Sequence, residues 1–159
     1  MVSTVSNYDP TLFQGAAQYY VRYRSRYPQL LFDQLSERFQ LDGTERLLDL
    51  GCGAGLVAIP FSDRFAEIIA IDPDAEMLNE AQAEAEATGV KNIRWIHDRA
   101  ESISKELGQF RLATFGRSFH WMQRELVAEN SGGDSEARKQ TESRKWHLDL
   151  VERSGVFEV

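Results

Sequence analysis

A single cysteine, Cys52, is all the chain of 159 residues carries, so no disulfide forms within it and a metal site built on several thiolates is excluded. Positive charge is scarce as well. Lys and Arg number 18 against 25 Asp and Glu, a net charge of −7; the phosphate backbone of a nucleic acid and an anionic membrane surface both call for the opposite balance. No apolar run reaches the ~18 residues of a membrane span. The first residues hold Asp9 and many polar side chains where a leader would be basic and then apolar. A soluble cytoplasmic protein with no nucleic-acid and no membrane partner is the expectation. There is no internal repeat, and between Glu129 and Lys145 the only apolar residue is Ala137, which leaves no buried strand to write there.

What is present is one domain's worth of chain with an ordinary 42% of hydrophobic residues. Residues 9–26 have helical spacing and many aromatic residues, suited to packing on the core or to covering a site. Residues 28–41 place Leu31, Leu35 and Phe39 on one helical face after Pro28, with Asp42-Gly43 as the stop. Glu45 to Cys52 reads as a strand, Gly55 to Phe65 as a helix despite Pro60, and Glu67 to Asp72 as a strand buried on both faces. Asp74 to Thr88 reads as a helix capped by Asp74 and closed by Gly89. Asn92 to Asp98 is a third strand, Ser102 to Leu107 a short charged helix, and Phe110 to Phe119 a fourth strand and its exit. Trp146 to Val151 reads as a helix, with Val156 to Val159 a short strand. Alternating strands and helices predict an α/β fold, a doubly wound and mostly parallel sheet, with its C-terminal strands incomplete and an open edge that invites pairing with a second copy.

The chemistry sits in Leu-Leu-Asp-Leu-Gly-Cys-Gly-Ala-Gly, residues 47–55. A buried strand running into glycines at 51, 53 and 55 describes a turn whose backbone comes close to a ligand. The dinucleotide fingerprint requires its third glycine where this chain has Leu56, which disfavours a nicotinamide or flavin ligand. Asp49, Asp72 and Asp98 all fall at strand ends, where ligands of open α/β sheets bind. Neighbouring strand ends spread three carboxylates over ~10 Å, too far apart for one metal ion. A long ligand with spaced hydroxyl and amino donors fits better, and no metal is expected.

Taken in order, LLDLGCGAG, AIDPDAEML and WIHDRAESI resemble the successive motifs of class I S-adenosylmethionine-dependent methyltransferases. FQGAAQYYVRYRSRYP and FRLATFGRSFHWM are similar to a subgroup acting on small molecules, the trans-aconitate and ubiquinone-type enzymes. The resemblance runs over residues 9–125. It implies a Rossmann-like methyltransferase fold, S-adenosyl-L-methionine as cofactor and a small-molecule methyl acceptor, with a helical cap in 1–44, the cofactor-binding core in 45–122 and a shortened C-terminal part in 123–159. It also implies roles. Gly51, Cys52, Gly53 and Gly55 would pass the methionine end of the cofactor, with Asp49 holding a water or orienting the loop. Asp72 would accept from both ribose hydroxyls, and Pro73 and Met77 would pack on the adenine. Asp98, Arg99 and Ala100 would meet the adenine edge, while Tyr20 and Arg24 would reach over the cofactor, Arg24 to its carboxylate. Phe119 and Trp121 would line the acceptor, with His120 as a candidate general base. The other function class compatible with a shortened relative is a non-catalytic domain that binds the cofactor or assembles with copies of itself. The residues do not name the acceptor or its accepting atom.

Overall fold

The computed structural model describes residues 15, 19, 22–116, 118, 122, 148–152 and 155–158. Its centre is a six-stranded sheet. In chain order the elements are α1 (Gln29–Phe39), β1 (Arg46–Leu50), β2 (Glu67–Asp72), α2 (Ala75–Ala87), β3 (Ile93–His97), β4 (Leu112–Gly116), β5 (Leu148–Glu152) and β6 (Gly155–Glu158). In space the strands run β3-β2-β1-β4-β5-β6. The first four are parallel, and β5 and β6 join antiparallel to β4 and to each other. The order reverses between β1 and β4, and that crevice at the carboxyl ends is where an open α/β sheet offers a binding site.

Alternation along each strand divides the core. Leu47, Ile68, Ala70 and Leu112 meet Leu31, Phe32, Leu35 and Phe39 of α1 and Leu78 of α2 on one face. On the other, Leu48, Leu50, Ile69, Ile71, Ala113 and Phe115 meet Ala100, Ile103, Leu107 and Phe110. Every residue of β1 after Arg46 is buried, and so is every residue of β2 after Glu67, the pattern of parallel strands covered on both sides. β3, an edge strand, is half-buried at Ile93, Trp95 and Ile96 and exposed at Arg94 and His97. Phe32, Phe61 and Phe65 pack edge to face, with centroids 4.8 and 5.6 Å apart along the chain, the preferred aromatic geometry.

β2 has the expected bounds, and Asp74 caps α2 by accepting from the amides of Glu76 and Met77. Four expectations need correction. Residues 55–65 form no α-helix. Ile59 donates to Gly55 and Phe61 to Val57, but Pro60 between them has no amide, so the consecutive ladder fails and the segment finishes in a 3₁₀ turn at Ser62–Arg64. Residues 102–107 likewise give two 3₁₀ turns, Ala100–Ser102 and Lys105–Leu107. α1 ends before Asp42-Gly43, because Gln40 takes the left-handed conformation (φ 53°) and its amide, with that of Leu41, closes the last turn on Glu37 and Ser36. Leu148–Glu152 is a strand where a helix was expected; pairing with β4 satisfies its backbone. The 129–145 loop and nearly all of the 9–26 helix lie outside the described residues. Tyr19 and Tyr23, which are described, stack with centroids 6.5 Å apart and are exposed, whereas Tyr27 is buried.

Asn92 fastens the irregular 55–65 segment to the sheet. Its side-chain amide donates to the carbonyls of Ser62 (2.7 Å) and Phe65 (2.9 Å). Asn92→Ala strands both carbonyls and is expected to cost about 2 kcal/mol. Urea unfolding checks this; an unchanged midpoint would mean that solvent replaces both bonds.

Candidate functional site

The loop after β1 is bent over the end of β2 by its own backbone. The amides of Gly51 and Cys52 both donate to the Ile71 carbonyl, at 2.8 and 3.1 Å. That course needs left-handed residues, and Gly51, Gly53 and Gly55 have φ of 65°, 52° and 78°. Their surroundings differ. A Cβ on Gly51 would collide with Ser118 and Met122, and one on Gly55 with Ile59 and Trp95, whereas one on Gly53 would meet nothing within 4 Å among the described residues. Gly51 and Gly55 are packed against protein, and Gly53 presents bare backbone with no described residue against it.

Asp72 ties this loop to the next turn. Its Oδ2 accepts from the Gly53 amide at 2.7 Å and its Oδ1 from the Asp74 amide at 2.9 Å, which leaves each oxygen one more lone pair. The residue is 7% exposed. Burial pushes its pKa up, the Asp74 and Gly53 amides pull it down, the Asp74 charge adds to the rise and His97 opposes it. Asp98 is exposed and turns its Oδ1 to the Arg99 amide; Ala100 beside it is buried. Met77 is buried on the first turn of α2 after Pro73, one turn from Asp72.

Asp49 lies deeper. It is fully buried, its Oδ1 accepts from the Thr114 hydroxyl at 2.8 Å, and its Oδ2 has no hydrogen-bond partner among the described residues. Burial drives its pKa up to about 7, against the pull of Thr114 and of the Ala58 amide, with the Asp72 charge adding to the rise. Asp49 forms part of the wall of a narrow cavity of about 30 Å³, together with Arg24, Tyr27, Gly51, Cys52 and Gly53, room for one or two waters. The Cys52 thiol on the same wall is pushed well up by burial and then by the Asp72 and Asp49 charges, so it is held as an inert thiol.

The structure thus gathers Arg24, Asp49, Gly51, Cys52, Gly53, Asp72, Pro73 and Met77 around the carboxyl ends of β1 and β2, with Asp98, Arg99 and Ala100 following β3. Tyr20, Phe119, His120 and Trp121 lie outside the described residues. Ser118 and Met122, which flank the last three in sequence, stand against Gly51, and the Ser118 hydroxyl donates to the Leu50 carbonyl at 2.8 Å. Thr114 and Ser118 were missed by motif reading. The strand register offers a signal for Thr114, which pairs directly with Asp49 across β1 and β4. Among the described residues no group of three or more His, Cys, Asp or Glu could hold a metal, and no helix is long and apolar enough to cross a membrane.

Comparison with known proteins bears on this arrangement. A 58-residue stretch is 41% identical to the uncharacterized methyltransferase YcgJ of Bacillus subtilis, covering 36% of this chain and 23% of YcgJ. The crystal structure of YcgJ superposes with a TM-score of 0.56 at 26% identity, over 64% of this chain and 44% of that one. The 23S rRNA (uracil(1939)-C(5))-methyltransferase RlmD of Shewanella sediminis is 36% identical over 63 residues, 39% of this chain and 14% of RlmD. A SAM-dependent methyltransferase from Thiobacillus denitrificans, solved with S-adenosyl-L-homocysteine, shares the fold at TM-score 0.58 and 22% identity, over 77% of this chain and 52% of that one. The match spans under a quarter of the length of the two curated relatives. The family model for the methyltransferase domain matches residues 47–130, more than half of the chain and all of the loop and carboxylates described above, so this chain belongs to the family of methyltransferase domains.

Proposed function

We propose that the chain binds S-adenosyl-L-methionine and transfers its methyl group to a small molecule, as the likeness to the trans-aconitate and ubiquinone-type subgroup implies. One observation carries the reading. The nearly buried Asp72 carboxylate bridges the bare backbone of Gly53 and the turn into α2, and keeps a free lone pair on each oxygen for a vicinal diol. The other groups fall into place around a nucleoside amino acid. The open side of Gly53 admits its chain, and the cavity lined by Asp49 and Arg24, with room for one or two waters, lets the unpartnered Oδ2 of Asp49 reach the amino group of its charged end through a water. Pro73, Met77, Asp98 and Ala100 serve the base. The cofactor supplies a methyl group on a sulfonium, which departs to leave a neutral thioether. The chain's own task is then to align donor and acceptor and exclude water, with residues 1–44 as helical cap, 45–122 as cofactor-binding core and 123–159 as a shortened C-terminal part.

The acceptor is a small molecule on the grounds of the −7 net charge and of the N-terminal motif. RlmD is by name an rRNA methyltransferase, so the test has an RNA arm. Titration calorimetry with S-adenosyl-L-homocysteine should show binding to the wild-type chain, and absence of heat would sink the reading. Asp72→Asn removes the charge behind two hydrogen bonds and is expected to weaken that binding about 10- to 100-fold. Transfer of a radiolabelled methyl group is then screened on carboxylic acids, quinones and phenols beside ribosomal RNA. Label in the RNA alone would replace the small-molecule acceptor, and binding without transfer to any of them would favour a non-catalytic domain.

A further inference from the structure

β3 pairs with β2 in a register that sets His97 opposite Asp72. From that position the imidazole Nε2 reaches the Pro73 carbonyl oxygen at 2.9 Å. A carbonyl only accepts, so Nε2 carries the proton. Pro73 is the middle of a three-residue turn whose two ends are already held: Asp72 Oδ1 accepts from the Asp74 amide, and Asp74 in turn accepts from Glu76 and Met77 at the start of α2. The same strand end adds a second tie, from the Asp98 amide to the Asp72 carbonyl at 3.2 Å. Proline has no amide of its own, so Pro73 adds no donor to the turn. The side chain is exposed and its strand lies at one edge of the sheet, so the bond fills no core; it fixes the backbone on which the diol-reading carboxylate stands.

We infer that His97 is a positioning residue for the nucleoside end of the ligand: its Nε2–H holds the Pro73 carbonyl and so sets the Asp72–Asp74 turn at the geometry that meets the ribose hydroxyls. This rests on the function proposed above and goes beyond it, because it assigns His97 a task in holding the turn. Its proximity to the Asp72 carboxyl acts in the same sense, pulling that group toward the ionised form against burial.

The test titrates the 159-residue chain with S-adenosyl-L-homocysteine and, separately, with adenosine. His97→Leu is expected to weaken both about five- to tenfold, the worth of one hydrogen bond. The ligand-free thermal midpoint should move by no more than about 3 °C. His97→Gln, whose side-chain amide offers a donor at similar reach, should restore affinity to within about threefold of wild type. A purely structural role would lower the midpoint and leave the affinity of the folded fraction unchanged. If H97L binds like wild type, or H97Q binds as weakly as H97L, the assignment is overturned while the proposed function stands. A wild-type chain that binds neither ligand removes both. His97→Ala replaces H97L if that variant fails to fold, and loss of fold in both would make His97 a folding residue and overturn the assignment.

Discussion

Gly51→Ala should destabilise the chain by about 3 kcal/mol, and Gly53→Ala, two positions along the same loop, by only about 1 kcal/mol. Both glycines hold a left-handed φ, a conformation that costs any other L-residue roughly 1–2 kcal/mol. The difference lies in what a methyl group meets. At Gly51 it falls 2.5 Å from the Ser118 Cβ and 2.8 Å from the Met122 Cε. Ser118 has little room to retreat, since its hydroxyl is bonded to the Leu50 carbonyl at the end of β1. Overpacking of that kind adds about 1–3 kcal/mol. At Gly53 the methyl meets none of the described residues within 4 Å, so the folded chain tolerates it, but that space is where the proposed cofactor runs. G53A should therefore lose S-adenosyl-L-homocysteine affinity by at least about tenfold at little cost in stability. G51A should show the reverse emphasis, a stability loss that exceeds any loss in the affinity of the folded fraction. Urea unfolding and calorimetry on the two variants read both quantities. Unchanged affinity in G53A would show that no ligand passes that glycine.

The contrast between the two glycines also marks how far the sequence could be read. Three glycines after a buried strand announce a close backbone approach, and nothing in their spacing separates the one that faces protein from the one that faces a ligand. That distinction depends on Ser118 and Met122, distant in sequence and brought there by the β1–β4 pairing. Strands with both faces buried were legible because their apolar runs are continuous and end in an acid, as Glu67–Asp72 does. The Asp74 cap was legible because capping is a local exchange between one side chain and the next few amides. The helix expected at 55–65 failed on one atom, the missing amide of Pro60. The helix expected from Trp146 failed for a different reason: Leu148–Glu152 is too short for period to distinguish helix from strand, and the ladder to β4 decides it. Thr114 and His97 fall inside motif stretches, but nothing in those stretches singles either of them out for a role. Each becomes visible only once the register sets it opposite Asp49 or Asp72.

Asp49→Asn should gain stability over the wild-type chain as the pH rises, by about 3 kcal/mol between pH 5 and pH 8. Asp49 is fully buried, and its pKa in the folded chain stands at about 7 against a reference of 3.8. Between those values the folded chain keeps a proton that the unfolded chain has lost. Stability therefore falls as pH rises through that window, at about 1.4 kcal/mol per unit, and levels off above pH 7. Below the window both states are protonated and the penalty vanishes. Across the whole window it grows to about 4 kcal/mol, of which about 3 accrues above pH 5. Asn keeps the Thr114 hydroxyl bonded to its side-chain oxygen and never ionises, so the difference between D49N and wild type should widen by that amount from pH 5 to pH 8. Subtracting the two stability curves removes groups that titrate alike in both; Asp72, whose charge adds to the Asp49 rise, is coupled to the substituted group and is not one of them. A flat difference would mean that the carboxyl is solvated when ionised and that its burial carries no such cost. The same substitution should weaken S-adenosyl-L-homocysteine binding, because the unpartnered Oδ2 becomes a donor facing the ligand's amino group. If the buried carboxylate is kept for the ligand at a cost to the fold, the variant holds its fold better at pH 8 and its ligand worse. A D49N chain that gained stability with no loss of affinity would leave Asp49 a loop-orienting residue and assign the amino group to another partner.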